Sequence, residues 1–349
     1  MLKSKTMSFI LLILFLGVSV LFTMVNNLMK PSSPENTIIE EKVGLKGLPY
    51  GVELSQTILL EDDLYIYYED RIVEKYFNDS SINKESIERI NLFFNSLPDS
   101  IHKTISLTPM AITYENVKVN QDSIEAQSEI KEGLNSNINW IDIHPIYESK
   151  KEEYLYFRTD PRITSLAAYY IAQEFLSTKG INIIPLSDYR EDRRAKVSGI
   201  YMYLPGSPLN PSHEDTVVSY FLDGATNHQL VTTRKSDDVT ETFESPTIAI
   251  SRRGLDIFVE SNLSDSILYG DGTDNTIIVI GDYNAKVVST WLTPYYEHVI
   301  VINSAFYTKS QSEFFELFET YNITDVLLVE SIKNIGDLSE NSKLKRIYE

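Results

Sequence analysis

YLYFRTDPRITSLAAYYIAQEF, Tyr154 to Phe175, joins a polar turn to an apolar-periodic segment that reads as a helix. Asp160-Pro161 stands before that helix. Aspartate followed by proline suits a helix start, with Asp160 capping the first free amides and Pro161 in the first helical position. That reading gives Asp160 a structural task. A second reading keeps Asp160 in a buried contact with Arg162 or with Tyr283. A third gives Arg162 an anionic ligand group, such as a uronate carboxylate, to grip.

Outward from this segment the chain alternates strand and helix. TIIVIG is a short apolar run ending at Gly281, and HVIVIN and TDVLLVE resemble it. NAKVVSTWL and SQSEFFELFETYN are the helices between them. Such alternation predicts a parallel sheet with helices on both faces. Upstream, TILLEDDLYIYYED predicts a hairpin around Asp62 and Asp63. NKESIERINLFFNSLP carries Ile87, Ile90, Leu92, Phe93 and Leu97 at helical spacing, and Pro98 ends it. KTISLTPM and INWIDI read as strands. QDSIEAQSEIKEGLN reads as a helix with Asp122 as its cap and Glu125 three residues on. From about Val197 to Ile257 the pattern changes: GIYMYL, TVVSYFL, HQLVTT and DVTETF predict a β-rich insertion.

Taken together, YLYFRTDPRITSLAAYYIAQEF and TIIVIGDYNAKVVSTWLTPYYEHVIVINSAFY resemble the two signature blocks of the DHHW family. Arg158, Thr159, Asp160, Thr164, Ser165, Ala168 and Tyr169 fit the first block. Asp282, Ala285, Leu292, Tyr296, Val301 and Tyr307 fit the second. SGIYMYLPGS near Gly199 is similar to a third family segment. The likeness runs roughly from Leu59 to Val329. It implies an SGNH-like three-layer α/β/α fold, and kinship with acetyltransferases and esterases of alginate and other envelope polysaccharides. It also implies a triad of aspartate, histidine two residues later, and a serine after the aspartate of the second block. Here Asp160 remains, Arg162 stands at the histidine position and Tyr283 at the serine position. Pro161 and Ile163 replace the first histidine and the tryptophan of the family segment.

That exchange decides the chemistry expected. In open parallel sheets function gathers at the carboxyl ends of the strands, and Asp282 and Tyr283 follow the strand TIIVIG. Acyl transfer there needs a nucleophile, an adjacent base and donors for the oxyanion. Arginine, with a pKa of about 12.5 or more, is no base at neutral pH. Tyrosine, near pKa ~10, is a poor acyl acceptor without strong activation. The expectation is a pseudoenzyme with degenerate triad positions Asp160, Arg162 and Tyr283. Arg162, Asp282, Tyr201, Tyr203, Tyr295 and Tyr296 are the candidate binding residues, the tyrosines because rings with a polar tip stack on sugars. An active enzyme with a rearranged site, His213 serving as base, is the alternative. A pure protein-interaction module is another.

His102, His144, His213, His228 and His298 show no metal-ligand spacing, and GDGTD at Gly270 reads as a plain turn rather than a calcium loop. No metal and no cofactor is expected. With no cysteine, thiol catalysis and disulfides are excluded. A net charge of −19 without a basic run argues against a nucleic-acid partner. Residues 7–25 are uncharged and close to the ~20 residues that span a bilayer. Lys3 and Lys5 precede them, and no small-x-small cleavage site follows. They predict an uncleaved transmembrane signal anchor, a polar tether over 30–45, and an extracytoplasmic domain over 46–349 with the β-rich insertion near 197–257. The expected partners are the cell membrane, a cell-envelope glycan and a membrane-bound O-acyltransferase.

Overall fold

The computed structural model describes residues 65–68, 70–115, 122–204, 206–234, 240–249, 257–259, 265–304, 307 and 309–338. The anchor and tether stretches, 7–25 and 30–45, lie outside them. No helix of the described residues is long and apolar enough to cross a membrane.

In chain order, β1 (Tyr65–Tyr68) and β2 (Arg71–Glu74) form an antiparallel hairpin. Its turn lies between Tyr68 and Arg71; the hairpin expected around Asp62 and Asp63 falls outside the described residues. Next come α1 (Ser80–Ser96), β3 (His102–Thr108), α2 (Asp122–Gly133), β4 (Asn139–Ile141), α3 (His144–Ser149) and α4 (Ser165–Thr178). β5 (Tyr189–Val197) and β6 (Asp215–Leu222) make a second antiparallel pair. β7 (His228–Arg234), β8 (Thr240–Ser245), β9 (Asp265–Tyr269), β10 (Thr276–Gly281), α5 (Tyr283–Leu292), β11 (His298–Asn303), α6 (Gln311–Thr320) and β12 (Ile323–Ser331) complete the order.

Eight strands form one sheet in the order β4-β3-β12-β10-β11-β9-β7-β8. From β4 to β11 neighbours run parallel, while β9, β7 and β8 add antiparallel at one edge. The sheet is therefore mixed rather than wholly parallel. β7 and β8, expected in an insertion, extend the main sheet through β9. GIYMYL is a 3-10 turn over Ile200–Tyr203 rather than a strand.

β10 shows why the sheet is covered on both faces. All six of its residues are buried. Ile277 and Val279 pack with Ala167, Ile171, Phe175 and Val288 of α4 and α5. Ile278 and Ile280 pack with Ile90, Phe93, Ala126, Ile130 and Phe314 of α1, α2 and α6. Successive residues of a strand point to opposite faces, so one apolar run feeds two cores and gives three layers. The α1 stripe is narrower than its spacing suggests: Ile90, Phe93 and Leu97 are buried, but Leu92 is 47% exposed. Asp79 caps α1, accepting from Ser81 N at 2.9 Å. Ser310 and Glu313 close a capping box on α6. Asp122 sits in the first turn of α2 rather than before it.

Candidate functional site

Leu155 to Thr164 fold back on themselves before α4 begins. Phe157 N donates to Arg162 O at 3.3 Å and Thr164 N to Leu155 O at 2.9 Å, flanking a Tyr156–Ile163 bridge. Asp160-Pro161 lies at the tip of this reversal. Asp160 is therefore not the helix cap; Thr164 is, accepting from Ala167 N at 3.3 Å. The loop is pinned from outside by Asp215, the fully buried first residue of β6. Asp215 accepts from Arg158 N at 2.8 Å, Thr159 N at 3.0 Å, the Thr159 hydroxyl and the Tyr154 hydroxyl. Burial first, and the Asp215 charge second, push the Tyr154 hydroxyl far above its ordinary pKa, so Tyr154 stays a donor.

Gly199 closes the other side. Gly199 N donates to Thr159 Oγ1 at 2.7 Å, and Tyr201 N to Thr159 O at 2.9 Å. A Cβ at position 199 would lie 2.2 Å from Thr159 O and 2.6 Å from Asp160 Cβ. Only glycine lets the two backbones approach this closely.

With its backbone fixed, Asp160 holds Arg162. Arg162 Nε donates to Asp160 Oδ1 at 2.5 Å and Nη2 to Oδ2 at 3.0 Å, a two-pronged grip. Ile200 N adds a bond to Oδ2 at 3.2 Å. The guanidinium carbon lies 4.4 Å from the centre of the Tyr283 ring. The Asp160–Arg162 pair thus meets Tyr283, far away in sequence, through the guanidinium. Among the described residues no histidine bonds Asp160.

Tyr283 reaches this place through a sharp strand-to-helix turn at the carboxyl end of β10. Gly281 has φ 152°, and a Cβ there would fall 1.8 Å from Val329 O. Asp282 caps α5 through Asn284 N at 2.7 Å and also accepts from Ser331 N at 3.0 Å and Asn334 Nδ2 at 2.9 Å. The Glu330 side chain also acts on the Asp282 carboxyl. Burial raises the Asp282 carboxyl above its usual range, against the pull of these donors. Glu330 is buried at the end of β12 and accepts from Ser304 Oγ at 2.5 Å. Ser304 N in turn donates to Gly281 O at 3.0 Å, and Asn284 Nδ2 to Thr108 Oγ1 at 2.8 Å. The ends of β3, β10, β11 and β12 are stitched together beneath Tyr283.

The remaining candidates scatter. Tyr201 is buried beside Tyr65, its hydroxyl pushed well above the ordinary value by burial first and by the Glu74 and Asp160 charges next. It is packing, not a stacking platform. Tyr203 is 76% exposed. Tyr295 and Tyr296 precede β11 and so lie at the amino ends of the strands, away from Tyr283. Tyr295 Oη accepts from Ile184 N at 2.5 Å, and Tyr296 Oη from Lys179 Nζ at 2.9 Å. His213 serves its own turn, Nδ1 accepting from Asn210 N at 3.1 Å. Asp271 of GDGTD binds Thr226, and among the described residues no His/Asp/Glu cluster has metal-holding geometry. Asp215, Glu330 and Ser304 were not singled out by sequence reasoning. The one signal for Glu330 was an acid ending the apolar run TDVLLVE.

Chemically, the arrangement offers a locked ion pair where a base would act, and a phenol where a serine would attack. The fold matches solved structures. A DHHW family protein from Eubacterium siraeum aligns with TM-score 0.66 and 18% identity, over 81% of this chain and 93% of that one. Bacillus cereus PatB1 aligns with TM-score 0.62 and 13% identity, over 78% of this chain and 97% of that one. A structure of PatB1 with a sulfonyl adduct gives the same TM-score and identity, over 95% of its chain. No curated protein matches the chain. The family model described as DHHW protein matches residues 46–243, more than half of the 349 residues. With that match and this fold, the chain belongs to the DHHW family.

Proposed function

We propose that the protein is a catalytically degenerate DHHW-type protein that works by binding. Held at the outer face of the cell membrane by residues 7–25, it assists envelope polysaccharide synthesis or O-acetylation. Its ligand is a glycan or a membrane-bound acyltransferase. One observation carries the reading: the guanidinium of Arg162 lies in a bidentate pair with Asp160, over Tyr283. A guanidinium does not take up a proton at neutral pH, so nothing at that position activates a nucleophile. The same group, a quarter exposed, offers a cationic face to an anionic partner.

The test is co-sedimentation of the full-length protein with envelope polysaccharide, alongside crosslinking to membrane-bound O-acyltransferases. Arg162→Ala is expected to weaken whichever association is found; the absence of both refutes the reading. For the anchor, mass spectrometry of the membrane fraction should recover peptides within residues 7–25. A soluble mature form beginning after Val25 contradicts it.

A second reading, an acyltransferase or esterase with a rearranged site, draws on Ser304. Its hydroxyl donates at 2.5 Å to buried Glu330, and a base beside a hydroxyl is the minimum for nucleophilic activation. Turnover that disappears in Ser304→Ala selects this reading.

A further inference from the structure

A cavity of about 370 Å³ opens between the start of α4 and the β5–β6 hairpin, separate from the Asp160–Arg162–Tyr283 contact. That volume falls among small-molecule sites. Its wall carries Arg71, Arg158 and Arg193, three of the eleven arginines in a chain of net charge −19. No carboxylate lines it.

The acids that balance these arginines stand outside the wall and aim them. Asp70 Oδ2 accepts from Arg158 Nη1 at 2.8 Å, and Asp70 Oδ1 lies 3.6 Å from Arg71 Nε. Glu115 accepts from Arg71 Nη1 at 2.8 Å, and the Glu214 carbonyl from Arg158 Nη2 at 2.6 Å. Glu191 holds Arg193 at 2.9 Å through Nε. The Nε groups of Arg71 and Arg158 are themselves buried, Arg158 Nε facing buried Asp215 Oδ1 at 3.7 Å, beyond hydrogen-bond reach. The rest of the wall is Leu166, Val218 and the rings of Tyr154 and Tyr220, mostly apolar surface. The cavity beyond Arg71 and Tyr154, about 330 Å³, has the opposite character: Glu115, Glu152 and Glu153 line it, with Lys151. An anion is drawn to the first and repelled by the second.

We propose that the arginine-lined cavity binds a ring-sized organic anion. Its charged group sits among the Arg71, Arg158 and Arg193 guanidiniums and its ring lies on the Tyr220 side. The shared chemistry, one anionic group on a polar ring, comes either from a sugar carboxylate or from a sugar phosphate. This inference stands apart from the reading of Arg162 and survives its failure.

Calorimetric titration of the full-length protein with D-glucuronate, D-glucose 1-phosphate and D-glucose at low salt tests it. At least one anionic sugar is expected to bind at least tenfold more tightly than glucose, with affinity falling as salt rises. Which one binds names the source. Arg193→Gln is expected to weaken that binding about tenfold, the order of one charge-assisted hydrogen bond. Arg193 is 64% exposed, so this variant leaves the fold intact where Arg71 or Arg158 variants risk it. Equal binding of glucose and both anions, binding by neither anion, or unchanged affinity in Arg193→Gln overturns the proposal.

Discussion

Removing the Arg162 side chain isolates a buried charge. The Asp160 side chain is 0% exposed, and without the guanidinium it keeps, among the described residues, only two long backbone donors, Ile200 N at 3.2 Å and the amide of residue 162 at 3.3 Å. Breaking a buried ion pair from one side costs about 3–5 kcal/mol. Arg162 is 23% exposed, which places the cost near the low end, and loss of its contact with Tyr283 adds about 0.5–1 kcal/mol. Arg162→Ala should therefore lose about 3–4 kcal/mol. With a urea m-value of about 3 kcal/mol/M for a domain of this size, the unfolding midpoint drops by about 1 M. Adding Asp160→Asn in the same chain removes the stranded charge, so the double variant should be more stable than the two single losses predict by about 2 kcal/mol. Equilibrium urea unfolding of the four proteins supplies the cycle. Single-variant losses that add to within about 0.5 kcal/mol would show that Arg162 is not the counterion of Asp160 and refute the reasoning.

Three further outcomes follow from other contacts. Asp325 is buried among Lys179 Nζ at 2.6 Å, Thr324 Oγ1 at 2.6 Å and His102 Nδ1 at 3.3 Å; burial alone would raise its carboxyl, but these donors, His102 first, hold it below the usual value. A depressed carboxylate stabilises the fold above its unfolded pKa near ~3.9, and the contribution is lost as pH falls through the folded value. Lys179→Met should cost about 3 kcal/mol at pH 7 and progressively less as pH falls below the usual carboxylate range, by thermal unfolding; a loss that does not change with pH contradicts this. The raised Asp282 carboxyl has the reverse sign: the fold binds the extra proton, so stability falls as pH climbs past the usual carboxylate range. Glu330→Gln replaces the neighbouring carboxyl with an amide and should flatten the midpoint-versus-pH curve above the usual carboxylate range; parallel curves for variant and parent count against an influence of Glu330 on Asp282. Gly199→Ala forces Thr159 and Asp160 to shift and should lower Tm by about 5 °C, from an overpacking cost of about 2 kcal/mol; a change under about 1 °C contradicts the close approach.

The layers were legible because the runs TIIVIG, HVIVIN and TDVLLVE are strand-length with unbroken apolar centres (IIVI, VIVI and VLLV), a pattern that strands buried on both faces require. The meeting of Asp160, Arg162 and Tyr283 was legible only through the paired family blocks. What escaped depends on how segments pair. Asp-Pro carries a stronger helix-start signal than Thr164, but the Tyr156–Ile163 bridge turns the chain first and leaves Thr164 to cap α4. Tyr295 and Tyr296 lie close in sequence to Tyr283, yet a right-handed β-α-β crossover returns the chain to the opposite end of the sheet. Alternation along HQLVTT and DVTETF marks strands without saying which sheet they join. β9 decides that, by pairing with both β11 and β7.

Acyl-ester turnover by the full-length protein tests the central claim most directly. Release of acetate from acetylated sugars and a model acetate ester is measured for the parent, for Ser304→Ala and for Arg162→His combined with Tyr283→Ser. The parent should run at the rate of the blank, because position 162 offers no base and position 283 no serine. The double variant, given an aspartate, histidine and serine on the frame that now joins Asp160 to Tyr283, should rise above it. Parent turnover well above the blank would contradict the account, and its loss in Ser304→Ala would place the chemistry at the Ser304–Glu330 pair instead.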